Sequence, residues 1–535
     1  MAQPNTPTSI NLAIKGLYLN PSTFGTNAPP GALTVANNVV IDRPSVVATR
    51  RGFNNGFSTF YNATARSLYQ YNNIMLLNGT NNKLIAETNP DTSPGVFTTY
   101  DGDYFVPDST NTESKIRAIE TNKNFYFITK EGTYRLDYVA GQPRKAGSPP
   151  GLSGSGVTLG VTGFLPIDTI VAYRVVFGYK DYNSQLILGA PSSRITVNNG
   201  TVATPATTST NVTLTFQVPK EIIDAPTDFF FQVYRGNASP DLSTPPADEM
   251  SLVYEDSCNS LITPIVSGQI TIEDITPDNL RGAALYTNQG QDGILQSNYR
   301  PPWALDICTF KQYAFYANTR NSQTANMTLI SAGPSNGAAA LADTNTITFT
   351  PTESPSDAFT LTAVKDIVDG GPGNNSAFGW FAVSDTGNPA YDIQVTASNI
   401  ALVANGYSNN TFLTAYYTST DSDLPGKMRF DRISLVEDTF TITSNVINCW
   451  EQALPITSIN DARANRIYFS KFNQPEAVPV VNYIEIGSAN QPIRRIVPLR
   501  DGVMVLKDDG VFRISNAAPP FNITPIDYNV RILAA

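Results

Sequence analysis

Three close carboxylate pairs are the first residues to ask about chemistry: Asp101 with Asp103, Asp421 with Asp423, and Asp508 with Asp509. A glycoside hydrolase sets two carboxyl groups about 5–9.5 Å apart across a cleft. Neighbours on one turn do not face each other in that way, and all three pairs lie in turn contexts, where Asp bonds its own backbone. Asp101-Gly-Asp103 offers oxygen ligands for calcium but lacks a surrounding calcium-loop pattern. The chain contains no histidine, which removes imidazole general-base catalysis, Ser-His and Cys-His nucleophiles and His metal ligation. Cys258, Cys308 and Cys449 show no zinc spacing and read as buried free thiols. Gly151–Gly156 and Gly370–Gly373 lack the Lys-Ser/Thr of a phosphate-binding loop and read as linkers. Arg50-Arg51, Arg494-Arg495 and Arg500 are the basic clusters, for which pairing with Asp and Glu is expected over phosphate binding. The sequence thus assigns no catalytic residue, cofactor site or metal site, and the chain is not read as an enzyme.

The elements that carry these residues are strands. The 535 residues include 36 Gly and 38 Pro with 25 Tyr and 27 Phe, and only 15% are charged. That composition favours strands and turns over helices and excludes a highly charged disordered chain. No long segment sustains a 3.6-residue apolar period, and no apolar run approaches the roughly 20 residues of a membrane helix. The net charge of −10 lacks the basic face of a protein that grips phosphates. Met1–Asn5 show no signal-peptide architecture, which predicts synthesis in the cytoplasm.

Several hairpins are explicit. Ser67–Tyr71 and Ile74–Leu77 flank Asn72-Asn73, and Phe310 and Ala314–Tyr316 flank Lys311-Gln312. NFYFITKEGTYRLDY (124–138) resembles GVMVLKDDGVFRIS (502–515): an apolar strand, Lys, acid, Gly, then aromatic, Arg and aliphatic. This reads either as an internal repeat, with blade-sized units at both ends of the chain, or as two unrelated hairpins with common turn chemistry. Residues 1–30 read as an N-terminal arm packing on a neighbour or as a partly ordered terminus, and Leu33–Val40 as a short helix or a strand. Residues 141–156 read as the strongest linker. The expected organisation is all-β: a propeller-like body over 31–150, 278–320 and 451–535. A β-sandwich of immunoglobulin or fibronectin type III kind is inserted at 157–277, and a second β-rich insertion at 321–450. Within the latter a strand is expected near Ala390–Ala397 and a short helix within Asp421–Val436. The closing residues NITPIDYNVRILAA read as a strand entered and cut off.

GLYLNPSTFGTNAPPGALTVANNVVIDRPSVVATRRGF, RGAALYTNQGQDGILQSNYRPPWALDICTFKQYAFYANT and NRIYFSKFNQPEAVPVVNYIEIGS with PLRDGVMVLKDDGVFRI resemble segments of the tail nozzle proteins of short-tailed bacteriophages, the tail tubular or packaged-DNA stabilisation class. The segments cover under a third of the chain and hold no catalytic motif. The resemblance implies a structural virion protein with a β-propeller platform. Six copies would ring the tail axis below the portal and its adaptor, beside tail fibres or spikes. Packaged DNA would be retained and then ejected through the lumen without sequence-specific binding. The alternatives from the residues are a tail adhesin that binds or depolymerises host-surface glycan, motivated by the aromatic content, and a bacterial surface adhesin.

Overall fold

The computed structural model describes residues 65–530 except 80–81, 88–95, 103, 105–115, 161, 201–204, 267, 321–322, 353, 368–369, 420–424, 434–438, 447 and 454–462, together with four short strands before residue 65. Those four form a unit considered by itself: Gly16–Leu17 runs parallel to Ala32–Leu33, and Val39–Arg43 pairs antiparallel with Val46–Thr49. The choice between helix and strand at Leu33–Val40 thus falls to strand at Leu33, Val39 and Val40. Arg50-Arg51 and most of the arm lie outside the described residues.

The remaining chain is mostly β. Its first two sheets are consecutive four-stranded antiparallel meanders: Ala65–Tyr71, Ile74–Gly79, Leu84–Glu87 and Phe97–Thr99, then Ala118–Thr121, Asn124–Thr129, Gly132–Leu136 and Arg144–Lys145. The last two are Asp306–Phe310, Tyr313–Thr319, Arg463–Phe469 and Tyr483–Glu485, then Ile493–Leu499, Gly502–Lys507, Gly510–Ser515 and Asn522–Asp527. Within the closing segment Asn522–Asp527 form an outer strand, paired from Ser515↔Asn522 to Val511↔Asp527. Two-residue turns with both φ positive join Asn72-Asn73, Asn122-Lys123 and Lys311-Gln312, the twist-matched geometry of tight hairpins. The two similar hairpins have equivalent ends, Thr129↔Gly132 and Lys507↔Gly510, with Gly132 at φ 115° and Gly510 at φ 144°.

These four sheets pack face to face in series. In Asn124–Thr129 every residue is buried, because the strand has apolar partners on both sides. Phe125 and Phe127 join Leu76, Leu84 and Tyr104 of the first sheet region, whereas Tyr126 and Ile128 join Ile307, Ala314 and Tyr316 of the third. The third and fourth sheets share Cys308, Phe315, Ile467, Ile496, Val503 and Phe512. Each fully buried Phe, Leu or Ile in these seams contributes about 1.5–3 kcal/mol.

Between the second and third sheets, a three-stranded sheet (Gly154–Thr158, Val212–Gln217, Gln269–Asp274) faces a five-stranded one. The latter contains Leu186–Leu188, Thr169–Lys180, Phe230–Gly236 and Met250–Ser257, with Ile195–Asn199 also paired to Thr169–Lys180. Alternate residues Val171, Tyr173, Val175 and Phe177 meet Val212, Leu214, Phe216 and Ile272 in one core. The glycine-rich run expected to be a linker is instead partly strand, Gly154 pairing with Phe216 and Thr158 with Val212. Glycine serves close approach there: a Cβ on Gly151 would lie 2.3 Å from the Val175 carbonyl oxygen. Helix α1, Lys220–Asp224, follows the middle strand of the three.

Two further four-stranded sheets lie between Tyr313–Thr319 and Arg463–Phe469, and they enclose a core with helix α2, Pro389–Gly406. This corrects the strand expected near Ala390–Ala397. Proline at the first turn and Asp392 within it suit a helix start. The helix escaped the periodicity test because residues 400–405 are all buried, so it has no polar face there. The helix expected within Asp421–Val436 is also corrected: Lys427–Arg432 is a strand paired on both sides.

Candidate functional site

The most heavily built polar cluster sits where the second sheet, the paired-sheet insertion and the loop after Arg463–Phe469 converge. Strand Gly132–Leu136 continues into Asp137, and alternation puts Arg135 and Asp137 on one face. The Arg135 side chain is 0% exposed, its Nη1 2.8 Å from Glu476 Oε1, its Nη2 3.3 Å from Asp137 Oδ2, and Asp181 Oδ2 3.9 Å away. Its guanidinium lies 4.8 Å from the centre of the Tyr179 ring. Glu476 also accepts from the Tyr126 hydroxyl at 2.9 Å, from the Gly147 N–H at 2.6 Å and, through Oε2, from the Tyr179 hydroxyl. Asp181 is held by Asn124 Nδ2 at 3.0 Å and the Gln185 N–H at 2.7 Å.

One cation therefore serves three buried carboxylates. Burial alone would lower the Arg135 pKa, but Glu476, the Tyr179 and Tyr126 oxygens and Asp137 hold it above its ordinary value. Burial, then the Glu476 charge, pushes the Tyr126 and Tyr179 hydroxyls far up, so both stay protonated donors. Gly147 is tied at both ends, since its carbonyl accepts from Arg300 Nε at 2.9 Å. Arg300 in turn grips Glu221 of α1 with two bonds of 2.7 and 2.9 Å. Its φ of +82° and a Cβ position 3.0 Å from Arg300 Cγ make glycine the fitting residue.

Glu476 has four donors on two oxygens, so no oxygen is left to take a proton from a substrate. The arrangement fastens three parts of the chain together and does not present a reactive group. A second junction follows the same logic: Asp306 accepts from the Ile496 N–H at 2.7 Å and from Arg495, joining the third and fourth sheets.

The residues singled out in the sequence are dispersed. Asp508 is gripped by Arg494 at 2.7 and 2.8 Å, and Asp509 accepts from the Ser488 N–H at 3.0 Å. The expected Arg–carboxylate pairing thus holds at Arg494 and Arg495, while Arg500 is exposed. Asp101 lies on an exposed bend, and Asp103, Asp421 and Asp423 lie outside the described residues. Cys258, Cys308 and Cys449 are free and buried. Gly370 and Gly373 adopt positive φ in a turn. Among the described residues no three Cys, Asp or Glu converge as a metal set, and no helix is long and apolar enough to cross a membrane. The Arg135–Glu476 pair spans 341 positions. Only the Arg135-Leu-Asp137 spacing hinted at it.

No protein-family model matches the chain, and no curated protein sequence matches it. Among solved structures, it aligns with the extracellular domain of a protein described as a one-component system from B. thetaiotaomicron, at 9% identity, covering 88% of this chain and 78% of that one. The TM-score of 0.13 is too low for that alignment to bear on fold or function.

Proposed function

We propose that this chain is a structural component of the tail of a short-tailed bacteriophage, of the nozzle type. The observation that carries the reading is the series of four-stranded antiparallel meanders, sharing faces in order, with one β-rich insertion between the second and third and another within the third. Such meanders are the size and topology of propeller blades, and the facing three- and five-stranded sheets suit an immunoglobulin- or fibronectin type III-like insert. Buried ionic junctions between the parts suit a body that transmits load without deforming. A net charge of −10 suits a wall along which DNA slides without sticking. In this reading six copies ring the tail axis next to the portal-proximal adaptor in the virion, DNA passes through the lumen, and fibres or spikes attach around it.

Electron cryo-microscopy of the phage particle tests this. The expected result is a sixfold density on the tail axis into which the chain fits. A single copy attached to the tail's periphery would sink the proposal. The alternative is a host-surface glycan-binding or depolymerising tail adhesin; its depolymerising form finds less support, because Glu476 is saturated by its four donors.

A further inference from the structure

We infer that a cleft beside the Glu476 junction binds a neutral, polyhydroxylated ligand: one pyranose unit of a saccharide. The cleft has a volume of about 200 Å³ and lies between the 185–188 hairpin of the first insertion, residues 286–298 and the 471–477 loop. Drug-sized ligands occupy about 300–1,000 Å³, so this space suits a single small ring.

Its chemistry is that of hydroxyl recognition. Lys471 Nζ lies 2.7 Å from Asp292 Oδ2 and 5.1 Å from the centre of the Tyr286 ring. The paired charges cancel, so an anionic phosphate or a metal cation gains no net attraction. A hydroxyl, by contrast, can donate to the carboxylate and accept from the ammonium at once. Asn298 donates through Nδ2 to the Leu188 carbonyl at 3.1 Å, which holds the 185–188 hairpin against the 286–298 segment. Tyr286 is fixed by donating to the Gly189 carbonyl at 2.8 Å and accepting from the Asn298 N–H at 3.0 Å. Its ring and the exposed Leu186 supply the apolar wall that the C–H face of a sugar needs. The exposed amide of Gln474 adds a donor and an acceptor. Glu476 anchors the 471–477 loop, so the cleft is formed before the ligand arrives.

The test uses the 535-residue chain and saturation-transfer NMR with the methyl glycosides of glucose, galactose, mannose and N-acetylglucosamine, and with inorganic phosphate added as a competitor. At least one glycoside is expected to show saturable transfer with a Kd of about 1–10 mM, the range of a few kcal/mol of binding. Asp292→Ala and Gln474→Ala, both at exposed positions of the lining, should each weaken it at least about tenfold, or about 1.4 kcal/mol, with an unchanged melting midpoint. Asp224→Ala, on α1, should leave it unaltered. No transfer from any glycoside at about 20 mM, well above the expected Kd, would overturn the inference. So would transfer that both cleft variants leave intact, or displacement of the glycoside by phosphate. Where the chain sits in a virion is read separately, from the sixfold density on the tail axis.

Discussion

Replacing Arg135 tests the central junction most sharply. Among the described residues its guanidinium is the one cation within 4 Å of Glu476, Asp137 and Asp181, all of them buried with it. Removing one partner of a buried ion pair costs about 3–5 kcal/mol, and Arg135→Met leaves three carboxylates without a cation. Glu476→Gln instead deletes one of three negative charges. Its amide nitrogen replaces an oxygen that accepts two of the four hydrogen bonds, a loss of about 1–3 kcal/mol for each buried donor left unsatisfied, partly offset by relief of repulsion among the carboxylates. For a cooperative unit of about 150–250 residues, each kcal/mol moves the melting midpoint by about 2–4 °C. Arg135→Met should therefore lower the midpoint by about 6–20 °C, and Glu476→Gln by no more than that. Differential scanning calorimetry at neutral pH reads both midpoints. A midpoint lowered by less than about 2 °C in Arg135→Met, under about 1 kcal/mol, would refute the assignment of Arg135 as the counter-charge that the buried carboxylates depend on.

Three other outcomes are expected. Gly151→Ala should destabilise by about 1–3 kcal/mol through overpacking, because its Cβ would sit 2.3 Å from the Val175 carbonyl oxygen and 2.6 Å from the Ser192 nitrogen; urea unfolding would show this, whereas a true linker would show no change. Burial would raise the Asp392 carboxyl, but hydrogen bonds from Thr386, Ser384 and Asn336 outweigh it and hold its pKa below the ordinary value. That stabilisation is present above the unfolded-chain value near about 4 and is lost as pH falls through the lower folded value. Asp392→Ala should accordingly cost about 1.5–3 kcal/mol at neutral pH, with the gap to wild type closing in melts at lower pH. Burial pushes the Cys258 thiol up to about 12 and Cys449 up to about 11, and Cys308 well above its ordinary value. Ellman's reagent at about pH 8, below these values, should find no reactive thiol in the folded chain and three after denaturation.

What could be read in the sequence was local. Asn72-Asn73 and Lys311-Gln312 announced their hairpins because tight turns demand residues that tolerate positive φ. The likeness of 124–138 to 502–515 extended to their register at the turn. Helix α2 was missed because burial along 400–405 erased its amphipathic signal, though Pro389, Asp392 and Gly406 were end markers in plain view. Gly154 and Gly156 suggested flexibility by composition, yet they let one strand lie close against Ile195 and Val197. The ionic junction was illegible for a different reason. Glu476 lies in a turn-rich segment, and its four donors come from residues 126, 135, 147 and 179. Such a constellation exists only once the fold has closed.

One pairing has an evolutionary reading. Tyr313–Thr319 and Arg463–Phe469 are adjacent strands, with Thr319 opposite Arg463. Adjacent strands lie about 4.8 Å apart, so the chain departs and returns at practically one point, and a hairpin loop of about two to five residues would close the same gap. Residues 320–462 are in that sense a cassette. A lineage could gain, lose or exchange it by recombination at a single hinge, leaving the strand order of the host sheet unchanged.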